Sequence, residues 1–162
     1  MKIAIGADHA GYELKEEIKS FLKGKGIEYY DFGVYEANST DDYPDTGIKV
    51  AEAVAKGNFE RGILICGTGL GMCLAANKVP GIRATPCYGV LAARLSREHN
   101  DSNILTLGAR LTGKDLAIHT VGEWLKAKFQ GGRHKRRLDK IKKIEEKYFR
   151  GGVNISWVND GH

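Results

Sequence analysis

Residues 62–71 read Gly62-Ile63-Leu64-Ile65-Cys66-Gly67-Thr68-Gly69-Leu70-Gly71. The first five form a continuous apolar run, the pattern of a strand covered on both faces as in a parallel sheet. Glycines then alternate with other residues, and 69–77 takes on helical character. A strand that breaks into a glycine turn and reforms as a helix is the repeating unit of an α/β fold. In such folds ligands bind beyond the carboxyl ends of the strands, near a topological switch point.

The same alternation extends in both directions. Residues 2–6 (KIAIG) predict a short strand. Residues 12–23 place Leu14, Ile18, Phe21 and Leu22 at helical spacing, and Gly24 and Gly26 end that helix. A second strand follows over 27–31, then a polar loop over 32–45 containing Asn38, Asp41, Asp42 and Pro44, and a helix over about 46–57. Downstream of residue 77 come a strand at 82–85, a helix at 90–99, a fifth strand at 103–107 and helices over about 114–128 and 135–149. The expected architecture is a doubly wound α/β fold: a three-layer αβα sandwich around a Rossmann-like five-stranded parallel sheet, with a basic C-terminal helix. Residues 1–150 form one domain. The Gly151-Gly152 step detaches a tail, 151–162, whose residues 153–162 fit no element.

The chain has 162 residues, 42% hydrophobic and 28% charged, within ordinary globular composition. After Met1-Lys2 the apolar run stops at Asp8, unlike a secretory signal, and 62–77, the longest uncharged stretch, is too short for a membrane span of about 20 residues. Three cysteines, at 66, 73 and 87, give neither a disulfide framework nor metal-site spacing. The expectation is a reduced, soluble, cytoplasmic protein with no membrane partner. The net charge of +5 is concentrated: residues 114–150 hold 12 Lys/Arg against 5 Asp/Glu. That segment reads either as a solvated helix face or as a specific anion site. Arg133 and Arg137, four apart, share a helix face and suit one phosphate. No aromatics interleave the basic residues, which weakens a nucleic-acid reading.

Candidate site residues come from the strand ends. Gly6-Ala7-Asp8-His9-Ala10-Gly11 follows the first strand, with Asp31 where a ribose-binding acid would stand, yet Asp8 occupies the middle-glycine position of a dinucleotide loop. A carboxylate there repels a pyrophosphate. Asp8 reads instead as an acid/base partner of His9, as a cap of the following helix, or as both. Gly67, Gly69 and Gly71 leave backbone N–H groups open at a helix start, a nest for an anion or a developing oxyanion, or else tight strand–helix packing. Cys66, at the head of this nest, is either inert filler or a base or nucleophile whose thiolate the N–H groups favour. Cys73 and Cys87 read as structural. Gly108-Ala109-Arg110 follows the fifth strand, and His99-Asn100 lies just before it. His99 is either a dipole-favoured helix-end histidine or a catalyst.

Taken in order, Gly6-Ala7-Asp8-His9-Ala10-Gly11, Asp42-Tyr43-Pro44, Ile65-Cys66-Gly67-Thr68-Gly69, Ala75-Ala76-Asn77-Lys78, Gly81-Ile82-Arg83-Ala84, Ser96-Arg97-Glu98-His99-Asn100-Asp101 and Gly132-Arg133-His134 resemble the type B ribose-5-phosphate isomerases. That family also holds allose- and galactose-6-phosphate isomerases. The resemblance covers about residues 1–149. It implies a homodimer with active sites at the subunit interface and neither metal nor cofactor. It implies that Cys66 is the isomerisation base, that the nest of Gly67, Thr68, Gly69, Leu70 and Gly71 holds the enediolate, and that Thr68 relays a proton between oxygens. It further implies that His99, with Asp8 nearby, opens the furanose ring and that Asn100 binds the sugar. His9, Arg133 and Arg137 would hold the phosphate, Arg110 would line the same pocket, and Tyr43 would close over the sugar. The tail after Gly151 has no counterpart.

These chemistries need these residue types. Removing a proton beside a carbonyl takes a base near neutral pKa and a place for the oxyanion. Histidine suits a ring opening near pH 7. The expected reaction interconverts D-ribose 5-phosphate and D-ribulose 5-phosphate. The alternatives are an allose- or galactose-6-phosphate isomerase and, in a different class, a non-catalytic module binding nucleotides or nucleic acid.

Overall fold

The structure, a computed structural model, describes residues 1–37 and 40–149. Five strands, β1 (Lys2–Ala7), β2 (Glu28–Asp31), β3 (Arg61–Cys66), β4 (Ala84–Pro86) and β5 (Ile104–Gly108), alternate with α1 (Tyr12–Gly24), α2 (Tyr43–Ala55), α3 (Leu70–Ala76) and α4 (Val90–Asn100). After β5 come α5 (Lys114–Lys126) and α6 (Arg133–Phe149). All pairings are parallel, in the order β2-β1-β3-β5-β4.

Alternation along the strands sorts side chains onto two faces. Ile3, Ile5, Ile63, Ile65, Leu105 and Leu107 point toward α1 and α5, where Leu14, Ile18, Val121 and Trp124 meet them. Ala4, Leu64, Cys66 and Ile104 point the other way, toward Val50 and Val54 of α2 and Met72 and Ala76 of α3. The three-layer sandwich is therefore present, with a core on each side of the sheet. The switch point falls between β1 and β3, where the Asp8 N–H donates to Ile65 O at 3.1 Å.

Several boundaries differ from the sequence reading. Helix α2 opens at Tyr43 rather than near 46, because Pro44 sits in its first turn, where a missing N–H costs nothing. Strand β4 begins at Ala84, since the Arg83 N–H is drawn to the Asn103 side chain at 2.7 Å. Helix α6 starts at Arg133, and it carries Arg133, Lys135, Arg136 and Arg137 in its opening turns. The proposed tail, 151–162, lies outside the described residues. Among those described, no helix is long and apolar enough to cross a membrane.

Candidate active site

The carboxyl ends of β1, β3 and β5 carry most of the expected site. Cys66, 4% exposed, ends β3. The chain then turns through Gly69, whose φ of +79° is open to glycine and strained for other residues. This turn aims the Gly69 N–H at the Cys66 Sγ, 3.1 Å away. Backbone N–H groups of Ala109 and Arg110 hold Cys66 O and Gly67 O at 2.9 Å each, tying the turn to the end of β5.

The glycines of the nest are also required by their neighbours. A Cβ on Gly69 would stand 2.9 Å from the Leu107 carbonyl carbon, and one on Gly71 would stand 2.8 Å from the Tyr43 ring. Tyr43 is thus held over the nest from α2. A Cβ on Gly67 would meet the Arg110 guanidinium at 3.3 Å, so that cation borders the same turn. Leu70 N–H donates to Thr68 Oγ1 at 3.3 Å, while Thr68 itself is exposed. Asp8, 8% exposed, accepts from the Gly11 N–H at 3.0 Å, so it caps the 3-10 turn His9–Gly11 and presents its second oxygen elsewhere. His9 is exposed at the same edge.

His99 and Asn100 are not there. The sequence reading grouped them with the carboxyl ends because they precede β5, and this is corrected. Helix α4 leaves the carboxyl end of β4 and runs back against the strands, so its last residues lie at the amino edge of the sheet. Arg83, just before β4, donates from Nε to Asn100 O at 3.2 Å and to Asp101 O at 2.9 Å. Asn103, just before β5, accepts from Gly62 at the start of β3. The strand from Gly62 to Cys66 spans roughly 13 Å at about 3.3 Å per residue. The candidate residues therefore fall into two groups at opposite ends of the sheet.

The second group is built by α4 and α6. His99 stacks on His134 with ring centroids 4.2 Å apart and planes 4° apart. Gln130 N–H donates to Glu98 O at 3.0 Å, which fixes the start of α6 against the end of α4. Arg133 and Arg137 occupy the same helix one turn apart, both exposed. Arg133 Nε donates to His134 Nε2 at 3.4 Å, which requires that nitrogen to carry a lone pair. Burial first, then His99, Arg133 and Arg137, pushes the His134 imidazole below its ordinary value and keeps it neutral.

Comparison with known proteins decides what this arrangement belongs to. Residues 3–141 match the model of the Ribose/Galactose Isomerase family. This chain belongs to the ribose/galactose isomerase family. Its sequence is 48% identical to the ribose-5-phosphate isomerase B of Escherichia coli over 90% of this chain and 97% of the relative. Its structure is similar to that of the Clostridium thermocellum ribose-5-phosphate isomerase B, with a TM-score of 0.89 and 61% identity over 91% of this chain and 99% of that one. The Mycoplasma genitalium ribose-5-phosphate isomerase B, solved with bound ribulose 5-phosphate, gives a TM-score of 0.87 at 43% identity over 90% and 97% of the two chains.

Within this ribose/galactose isomerase, Cys73 and Cys87 differ from Cys66 in their surroundings. Burial pushes both of their thiols up, which keeps them protonated. Three residues escaped the sequence reading. His134 stands in the Gly132-Arg133-His134 motif but carries no role of its own in the sequence reading. Tyr88 donates its hydroxyl to Thr68 O at 2.8 Å across 20 positions of sequence. Lys15, fully buried, reaches Asp31 at 2.9 Å and also the Val34 carbonyl, holding the 31–34 segment against the end of β1. None of these pairings follows a local period, so no sequence signal announces them.

Proposed function

We propose that the chain is an aldose–ketose isomerase interconverting D-ribose 5-phosphate and D-ribulose 5-phosphate through an enediolate. The observation that carries this reading is the Gly69 N–H on the Cys66 Sγ inside a glycine nest. Removing a proton beside a carbonyl takes a base set next to a place for the oxyanion, and here the sulfur and the nest N–H groups stand together. Cys66 as thiolate takes the C2 proton of the open-chain aldose. The C2–H pair becomes the C1=C2 bond, and the carbonyl pair moves to O1, where nest N–H groups meet it. Thr68 passes the O2 proton to O1 as the C2 carbonyl forms, and Cys66 returns its proton to C1.

The remaining roles need two copies. His99 opens the furanose ring, with Asp8 nearby, and Asn100 binds the sugar. His9 and Arg110 hold the phosphate together with Arg133 and Arg137. Because His99, Arg133 and Arg137 lie at the edge away from Cys66, the reading requires a homodimer whose two sites each join the carboxyl edge of one chain to the amino edge of the other. Leu70 and Leu74 of α3, the helix that follows the Cys66 turn, and Leu91 of α4 support it: they are 50%, 65% and 60% exposed, apolar surface that a second copy would cover. The enzyme on this reading is cytoplasmic and uses neither metal nor cofactor.

Proton NMR of ribose 5-phosphate in D2O, beside a Cys66→Ala control, tests the proposal. Ribulose 5-phosphate should form only with the unmodified protein. Turnover of allose or galactose 6-phosphate at much higher kcat/KM would replace the substrate and leave the chemistry. No conversion of any of them by folded protein would revive a binding module.

A further inference from the structure

The turn after β3 is held at three consecutive residues, and one tether comes from a side chain far away in sequence. Cys66 O and Gly67 O are held by backbone N–H groups of Ala109 and Arg110. Thr68 O is held by the Tyr88 hydroxyl at 2.8 Å, from the connection between β4 and α4. The peptide joining Thr68 to Gly69 is trans, so its C=O and N–H point in opposite directions. Fixing the carbonyl toward Tyr88 therefore fixes the amide toward the Cys66 sulfur, where it is found at 3.1 Å. A rotated peptide would turn a carbonyl oxygen toward the sulfur and oppose the thiolate. Gly108 makes room for this arrangement, since a Cβ there would lie 2.6 Å from Thr68 O.

We propose that Tyr88 is a positioning residue for Cys66, acting through the single Thr68–Gly69 peptide to keep an N–H donor on the sulfur. This rests on the reading of Cys66 as the isomerisation base. The other titratable or charged groups around the turn are Asp8 from the β1 end, Tyr43 from α2, Cys73 from α3, Cys87 from the β4 end and Arg110 from the β5 end. None of them holds the Thr68 carbonyl. Burial, followed by the sulfurs of Cys66, Cys73 and Cys87, pushes the Tyr88 phenol up, so Tyr88 keeps its proton and remains a donor where the enzyme works.

The test is Tyr88→Phe, with Tyr88→Leu as a second variant lacking the hydroxyl. Iodoacetamide alkylation is followed from pH 6 to 10, with Cys66 and Cys73 resolved by tandem mass spectrometry, alongside kcat and KM for ribose 5-phosphate. The apparent pKa of Cys66 should rise by about half a unit to one unit in both variants, and kcat at pH 7 should fall about 3- to 10-fold, because each unit is a tenfold change in thiolate fraction. KM should stay within about twofold, and kcat should recover at higher pH. An unmoved Cys66 profile overturns the proposal, and so does an equal shift at Cys73, which would report general loosening. Full activity in Cys66→Ala would instead remove the base assignment, and the alkylation shift in Tyr88→Phe would stand independently of it.

Discussion

The imidazoles of His99 and His134 lie face to face, 4.2 Å between centroids and 4° from parallel. Burial and the neighbouring His99, Arg133 and Arg137 hold His134 below its usual value. Unfolded, it titrates near about 6.5. As pH falls below that point the unfolded chain binds the proton first, so stability is lost until the lowered folded value is passed. Urea midpoints at pH 7.5 and 5.5 should therefore drop more for the natural chain than for His134→Phe, which keeps the stack without the titration. Equal pH dependence in the two proteins would remove this account of His134.

Cys66→Ala tests the chemistry with little structural cost. The activity loss should be about 10²- to 10⁴-fold, the usual range for a general base. Removing one buried sulfur costs on the order of 1 kcal/mol, which at this chain length moves Tm by about 2–4 °C. Circular dichroism and Tm check the second number, and steady-state assays check the first.

Gly108→Ala should damage stability and catalysis together. Its Cβ would meet Thr68 O at 2.6 Å and the Thr68 carbonyl carbon at 2.7 Å, backbone atoms that cannot rotate away. Overpacking of this kind costs about 1–3 kcal/mol. The contrasting control is Gly24→Ala, the last residue of α1, with nothing within 4 Å of the added carbon. That change should stabilise by about 0.4–1 kcal/mol through the unfolded chain. Chemical denaturation of both variants separates contact from entropy.

Lys15→Met should cost about 3 kcal/mol, the lower end of what breaking a buried ion pair costs, because Asp31 keeps Lys19 at 2.8 Å. Burial opposes the charge on Asp31, yet hydrogen bonds from Lys19, Lys15 and the Gly33 N–H overcome it and hold the carboxyl below the ordinary range. The stabilisation is present above about pH 3.9 and lost as pH falls toward the lowered value. A Lys15→Met, Asp31→Asn double variant should recover part of the loss, measured by urea unfolding.

How far the sequence was readable depended on the range of the interaction. Gly62-Ile63-Leu64-Ile65-Cys66 declared a buried strand because burial on both faces imposes a continuous apolar run. Gly69 declared a turn because its positive φ is one the backbone grants to glycine, while Gly71 answers to the Tyr43 ring above it. His99 was misplaced because nearness to β5 along the chain says nothing about which sheet edge a returning helix reaches. Pro44 reads as part of a polar loop but occupies the first turn of α2, because a proline's missing N–H is harmless there. Tyr88 and Lys15 were silent, since their partners are set by tertiary packing across 16 to 20 positions.

The placement of Cys66 and His99 at opposite ends of one sheet has a genetic consequence. On the proposed reading, a chain lacking the sulfur and a chain lacking the imidazole are each dead as homodimers. Paired with one another, they unite both defects in one pocket and leave the other pocket whole. Two null alleles of this gene, expressed in one cell, should complement, whereas two alleles that each damage the Cys66 end should not.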